Sequence, residues 1–248
     1  MAVPTIRQIL AANAIYARSY WRTPRAFRPY LADAIGLWAR GQRVFRDWTP
    51  HLNKTLAVLD STIDDIAPRR TVAVLGSGPM FDVPLESLAR TFGRVLLIDL
   101  AHLSTTDRRV SRYRNIERVW RDLAPEHDPH PLGFLADIPR LDWVISVNLL
   151  SQIGRAAPEG DERRTIDAHL DGLSALAMPV TLVTDVDYRI FDRAGTLLEE
   201  QDLTHGRRLP FPESRWLWEV APFGEEAADT RRIHTVHAYP DWHGVNRR

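Results

Sequence analysis

The chain has 248 residues, with 32 basic and 32 acidic side chains, so its formal net charge is zero. It contains no cysteine, which excludes a disulfide framework, a thiolate nucleophile, a Cys-type zinc site and an iron–sulfur cluster. Lys54 is its sole lysine and lies far from any glycine-rich loop, which excludes a P-loop and argues against Schiff-base chemistry.

The length suits one large α/β domain, or such a domain with a helical extension. A hydrophobic content of 44% with 26% charged residues is that of an ordinary globular protein. No apolar run approaches the ~18–20 residues of a membrane span, and Arg7 and Gln8 interrupt any signal-peptide core. The expected location is therefore cytoplasmic, with no membrane association.

From Pro4 to Tyr20, Ile6, Ile9, Leu10, Ala14 and Ala17 recur at helical spacing. Prolines at 24 and 29 break that helix. A second helical pattern runs from Tyr30 to Trp48 through Leu31, Ile35, Trp38 and Phe45. Thr49-Pro50 has the form of a helix start, with Thr as N-cap and Pro first. The third helix would carry Leu52, Leu56, Leu59, Ile63 and Ile66 and end before Pro68. Residues 1–50 hold eight arginines against Asp33 and Asp47. They read as a solvated face on helices packed beside a sheet. A charged lid is the sharper alternative, and no nucleic-acid motif accompanies the arginines.

Thr71 to Leu75 is an apolar, β-branched run ending in Gly76-Ser77-Gly78. A helical segment from Asp82 to Phe92 follows, and a second apolar run from Arg94 to Ile98 ends on Asp99. This is a βαβ unit. Another helix is expected from His102 to Tyr113, a third strand from Ile116 to Trp120 before Arg121-Asp122, and a loop over 124–139. Asp142 to Val147 would be the fourth strand, delivering Asn148. A helix would end near Ala177, and Pro179 to Thr184 would form a fifth strand ending at Asp185. The pattern then turns antiparallel. Tyr188–Phe191 and Thr196–Glu200 flank a turn, and Arg215–Val220 and Arg232–Ala238 make a last pair. The fold class expected is α/β, a Rossmann-like, mostly parallel sheet with terminal antiparallel strands, preceded by an N-terminal helical extension. The division expected is a helical extension at 1–68 and a Rossmann-like domain at 69–248.

In open α/β sheets the ligand sits beyond the carboxyl ends of the strands, where both the Gly-Ser-Gly turn and Asp99 fall. Phe81 stands where a dinucleotide fingerprint needs its last glycine, while Asp99 lies at about 20 residues' distance, as a ribose-binding acid should. The combination favours a ribose-bearing ligand without a pyrophosphate and disfavours a nicotinamide oxidoreductase. Ser77 is no nucleophile elbow, because Leu75 and Pro79 occupy the glycine positions of that motif. His234 and His237 are three apart on a strand, so they face opposite ways and make a poor metal pair. No metal is expected. His127 and His130 lie in the loop. Trp216 and Trp218 alternate with Leu217, placing both indoles on one face, as core packing or as an aromatic substrate wall.

Strand, GxG turn, helix, strand and Asp, then a third strand ending in Asp and a terminal antiparallel pair, together resemble the class I S-adenosylmethionine-dependent methyltransferases over residues 70–240. The resemblance implies that Gly76, Ser77 and Gly78 lie against the amino-acid part of that cofactor. It also implies that Asp99 holds the ribose and that Asp122 meets the adenine amine. His102, just after the Asp99 turn, reads as an edge of the adenine pocket or equally as a surface helix position. Asn148 would line the methyl-transfer site. Asp185, Asp187 and Tyr188 follow the fifth strand on the substrate side, with Asp185 and Tyr188 the candidate catalytic groups beside Asn148. The sequence departs from the family pattern at Val74, where an acid is usual, and at Met80, where a third glycine is usual. Asn148-Leu149-Leu150-Ser151 also lacks the Asn/Asp-Pro-Pro-aromatic run of nucleic-acid amine methylases. The expected activity is thus a methyltransferase acting on a small molecule or peptide rather than on nucleic acid. The alternative is a non-catalytic Rossmann-like scaffold that has lost cofactor use. A homodimer is compatible with either.

Overall fold

A computed structural model describes residues 6–246. One sheet of eight strands organises the chain: β1 (Thr71–Leu75), β2 (Arg94–Asp99), β3 (Ile116–Trp120), β4 (Leu141–Val147), β5 (Val180–Asp192), β6 (Leu197–Asp202), β7 (Ser214–Ala221) and β8 (Thr230–Tyr239). The order is β3-β2-β1-β4-β5-β8-β7, with β6 also on β5. The first five strands run parallel, and β8, β7 and β6 are antiparallel to their neighbours. The chain is therefore Rossmann-like, with the expected antiparallel end.

Alternation along the strands builds two cores. Val72 and Val74 of β1, with Trp143 and Ile145 of β4, face Leu59 and Ile63 of helix α3 and Leu85 and Leu88 of helix α4. Ala73 and Leu75, with Val144 and Leu182, face Ile166, Leu170 and Leu173 of helix α7. The helices on these faces are α3 (Phe45–Ile63), α4 (Leu85–Thr91) and α7 (Glu162–Ser174). Val74 is completely buried in the first core, so an acid there would be desolvated without a partner.

Several boundaries differ from those expected, each for a local reason. The first helix is α1 (Ile6–Tyr20); Pro4 lies outside the described residues. The Tyr30–Trp48 helix is two helices, α2 (Leu31–Arg43) and α3, because Val44 leaves helical geometry at φ −104° and ψ 25°. Thr49-Pro50 consequently sits inside α3 and starts nothing; Thr49 Oγ1 instead donates back to the Phe45 carbonyl at 2.7 Å. The helix expected from Asp82 begins only at Leu85, since Pro84 disfavours helical geometry at Val83. The helix expected over 102–113 shrinks to a 3₁₀ turn at Ser104–Thr106 and the single turn α5 (Asp107–Val110). There the hydroxyls compete for the backbone, as Thr106 Oγ1 donating to Leu103 O at 2.7 Å shows. Helix α6 (Leu150–Ala156) was not foreseen.

The fifth strand does not stop at Asp185. It runs on to Asp192, because β6 takes over the flank that β4 leaves at Val147. Helix α8 (Trp242–Asn246) closes the chain against the second core. Among the described residues, no helix is long and apolar enough to cross a membrane.

Helices α2 and α3 reach the antiparallel end of the sheet, while α1 packs on the segment after β2. Trp48 Nε1 of α3 donates to Val220 O of β7 at 3.0 Å. Arg43 Nε donates to Glu225 Oε2 at 3.2 Å, and Arg40 pairs with Glu225 and Glu226. Part of the arginine-rich face is thus neutralised within the chain.

Candidate active site

Four strand ends meet at one edge: Gly76-Ser77-Gly78 after β1, Asp99 closing β2, Asp122 beyond β3 and Asn148 after β4. Above them lies a cavity of about 1040 Å³. The 124–131 loop, α6 and α7 form one side, and α2, α3 and Trp218 of β7 form the other.

The turn after β1 needs glycine for two reasons. Gly76 (φ +72°) and Gly78 (φ +45°) both take the left-handed region, and a Cβ at Gly76 would stand 3.0 Å from Leu149 Cβ. The turn is pinned to β2 at both ends. Gly76 N donates to Ile98 O at 3.0 Å, and Gly78 N donates to Asp99 Oδ2 at 2.8 Å. Asp99 Oδ1 accepts from Ala101 N at 3.1 Å. Burial pushes the Asp99 carboxyl up, and the amides of Ala101, Gly78 and Leu100 pull against that rise. Ser77 is buried, and its Oγ has no hydrogen-bond partner among the described residues. Asp122 Oδ1 accepts from Ala124 N at 2.9 Å and so starts the lining loop.

Asn148 adopts φ +48°, which asparagine tolerates better than most residues, and it does not cap the next helix. Its side-chain nitrogen stands 2.6 Å from Asp82 Oδ2 and 3.1 Å from His51 Nε2, while its Oδ1 is buried without a partner. His51 Nδ1 in turn accepts from Trp216 Nε1 at 3.0 Å, and its ring stacks on Trp218 with centroids 4.0 Å apart. Burial drives the His51 imidazole down to about 3, and Asp185 raises and His234 lowers it by smaller amounts. The ring is neutral at physiological pH. Burial likewise raises Asp82, and the Asn148 amide lowers it.

Gly76, Ser77, Gly78, Asp99, Asp122 and Asn148 therefore share one cavity. Three other candidates stand outside it. His102 is buried behind β2, with Nε2 3.1 Å from Val119 O and its ring edge-on to Trp120; burial lowers it to about 4. Asp185 lies behind the Trp218 wall and accepts from Ser151 Oγ and from His234 Nδ1, both at 2.6 Å. Burial pushes its carboxyl up, yet His234 and Ser151 bring it below the ordinary value. Tyr188 sits on the β5–β6 hairpin, where its hydroxyl meets Glu199 and Gln201, because β5 carries it past the sheet edge. As expected, Trp216 and Trp218 share a face: one anchors His51 and the other lines the cavity.

Sequence reasoning missed His51 and Asp82. His51 lies on the buried stripe of α3 with Trp48, Leu52, Thr55 and Leu59. A histidine inside an otherwise apolar stripe is the signal that could have flagged it.

No protein-family model matches the chain, and no curated protein does. Solved structures are similar to it at low identity. One is the N-methyltransferase NodS from Bradyrhizobium japonicum WM9 in complex with S-adenosylhomocysteine, at 13% identity and TM-score 0.40, covering 94% of this chain and 99% of that one. Another is the Burkholderia thailandensis 1,6-didemethyltoxoflavin-N1-methyltransferase, with its substrate and S-adenosylhomocysteine bound, at 14% identity and TM-score 0.44, covering 96% and 92%. A third is an rRNA methylase from Streptococcus thermophilus, at 13% identity and TM-score 0.37, covering 75% and 95%.

Proposed function

We propose that this chain is an S-adenosylmethionine-dependent methyltransferase acting on a small molecule. The observation that carries the reading is the strand-edge cavity, in which the glycine turn, Asp99 and Asp122 line one continuous space. The residues present suit the cofactor. Gly76 and Gly78 line the cavity without side chains, which leaves room for its amino-acid part beside their backbone. Each Asp99 oxygen is engaged by an amide, which fixes the carboxylate and leaves lone pairs for ribose hydroxyls. Asp122 stands at the mouth of the lining loop, where an adenine amine would meet it.

When bound, S-adenosylmethionine supplies an electrophilic methyl group on a sulfonium. The chain's own work is then positioning. Alignment of nucleophile and acceptor carbon can contribute ~7–11 kcal/mol in favourable cases, so no fixed triad is required. Asn148, Asp82 and His51 form the polar end of the acceptor side; Trp48, Trp218 and Phe81 form its apolar wall. That wall suits a small acceptor better than a duplex.

Nothing specific favours the scaffold reading. Met80, which a closed site could have used as a plug, is buried in the first core, and the cavity is open to Asp99.

Isothermal titration of the purified protein with S-adenosylmethionine tests the reading. Micromolar binding is expected, weakened at least 100-fold by Asp99→Ala. Absence of binding in the unaltered protein would end it.

A further inference from the structure

The polar groups on the acceptor side form a directed chain, and its direction fixes a proton. Trp216 Nε1 is a donor only, so at 3.0 Å it requires His51 Nδ1 to be unprotonated. An imidazole carries at least one proton, so that proton is on Nε2. The nearest group to Nε2 is the Asn148 side-chain amide, at 3.1 Å. Two N–H groups cannot face each other there, so the amide must turn its oxygen to His51. The two ends of an amide are nearly isosteric, and its far end is buried without a partner in either orientation, so the proton count at His51 decides between them. The same oxygen then lies 2.6 Å from Asp82 Oδ2. Two bare oxygens at that distance repel, and an O–H between them binds.

We propose that Asp82 stands in the cavity wall as a neutral carboxylic acid at pH 7 and makes this the subsite for an uncharged aromatic or heteroaromatic methyl acceptor. The inference rests on the methyltransferase reading for the word acceptor, and on geometry alone for the acid.

The surroundings agree. Arg109, which donates to the Met80 carbonyl of this turn at 2.9 Å, is committed to Glu86 at 3.0 Å. Asp185 and His234, which face His51 from β5 and β8, are paired with each other. No compensating charge therefore reaches Asp82 from these elements, and burial favours its neutral form. Trp48 and Trp218 meet edge-to-face at 5.2 Å beside it, and Trp218 Nε1 is buried without a partner. A ring lying against these indoles meets an apolar wall and a neutral acid. A cationic amine would meet no carboxylate charge at Asp82.

Carbon-13 NMR of the free protein, labelled at the aspartate carboxyl carbons, decides the matter without any ligand. Loss of one signal in Asp82→Asn assigns the resonance. If that variant does not fold, Asn148→Ala moves the same signal by removing the partner. The expected result is a protonated carboxyl at pH 7, whose titration midpoint falls in Trp216→Phe, where His51 is free to change tautomer. A carboxylate at pH 7, titrating near the ordinary ~3.9, would overturn the proposal and make this a cation site. An unchanged midpoint in Trp216→Phe would overturn the chain as its cause. Cofactor binding is read separately by calorimetry, so failure of one reading is distinguishable from failure of the other.

Discussion

The two sides of the cavity are built by different means. On the strand-edge side, the two carboxylates are held by backbone close to them in sequence or on the adjacent strand: Asp99 by Gly78 and Ala101, Asp122 by Ala124. On the acceptor side, four elements distant in sequence converge: His51 from α3, Asp82 from the turn before α4, Asn148 after β4, and Trp216 with Trp218 from β7. The first side is a property of the three adjacent parallel strands β1, β2 and β3 and the turns that follow them. The second exists only when the helical N-terminus and the antiparallel strands are both in place. Cofactor binding and acceptor recognition should therefore separate under mutation.

The sharpest break is at the strand edge. Gly76→Ala puts a Cβ at 3.0 Å from Leu149 in left-handed backbone, and is expected to cost ~1–3 kcal/mol of stability. Cofactor affinity should fall by about tenfold or more, because the turn that carries Ser77 and Gly78 must move. Chemical denaturation and calorimetry on the same preparation check both. Unchanged cofactor affinity would mean that the turn does not contact the cofactor.

A pH effect acts across the fold as well as on the acceptor side. Burial holds His51 at about 3 and His102 and His169 at about 4, against ~6.5 in an unfolded chain. The folded state binds fewer protons, so this stability is present above pH 6.5 and is lost as pH falls toward 4 and below. His102 and His169 each contribute on the order of 3 kcal/mol to that loss and His51 on the order of 5. Asp82 and Asp99 act in the opposite sense: their folded values are raised, and their contribution fades as pH rises through those values. The midpoint of urea denaturation should drop steeply from pH 6.5 to 4.5. His51→Gln should flatten part of the slope, and a flat profile in the unaltered protein would contradict the buried neutral rings.

The contrast also explains what was legible in the sequence. Strands β1 to β4, the glycine turn, Asp99 and Asp122 follow from periodicity and spacing, because their geometry is decided within one or two adjacent elements. Asn148 follows from its place at a strand end. His51 and Asp82 do not, since nothing near them in sequence announces that a tryptophan 165 residues on will donate to that imidazole. Local competition hid the rest. The hydroxyls of Ser104–Thr106 cut a helix short, and Val44 divided another at a point where Thr49-Pro50 looked like the better boundary. Asp185 and Tyr188, read as the end of a fifth strand and the start of a separate hairpin strand, lie instead on one continuous strand, because β6 pairs with β5 from Asp187 onward and carries it past the cavity.

The smallest predicted effect tests that last point. Tyr188 faces Glu199 and Gln201 on an exposed hairpin, and burial with the Glu199 contact raises its phenol, as a hydroxyl acting as donor to a carboxylate requires. The ring stacks on His234, which meets the cavity-lining Trp218 edge-on, but the hydroxyl itself points to the hairpin and not to the cavity. Tyr188→Phe should leave S-adenosylmethionine affinity within about twofold and change stability by less than ~0.5 kcal/mol, the range of surface substitutions. A general base after the fifth strand would require the opposite. Once an acceptor is in hand, a loss of turnover in Tyr188→Phe with KM unchanged would show that the hairpin folds back over the site, and the acceptor side would then extend from four elements to five.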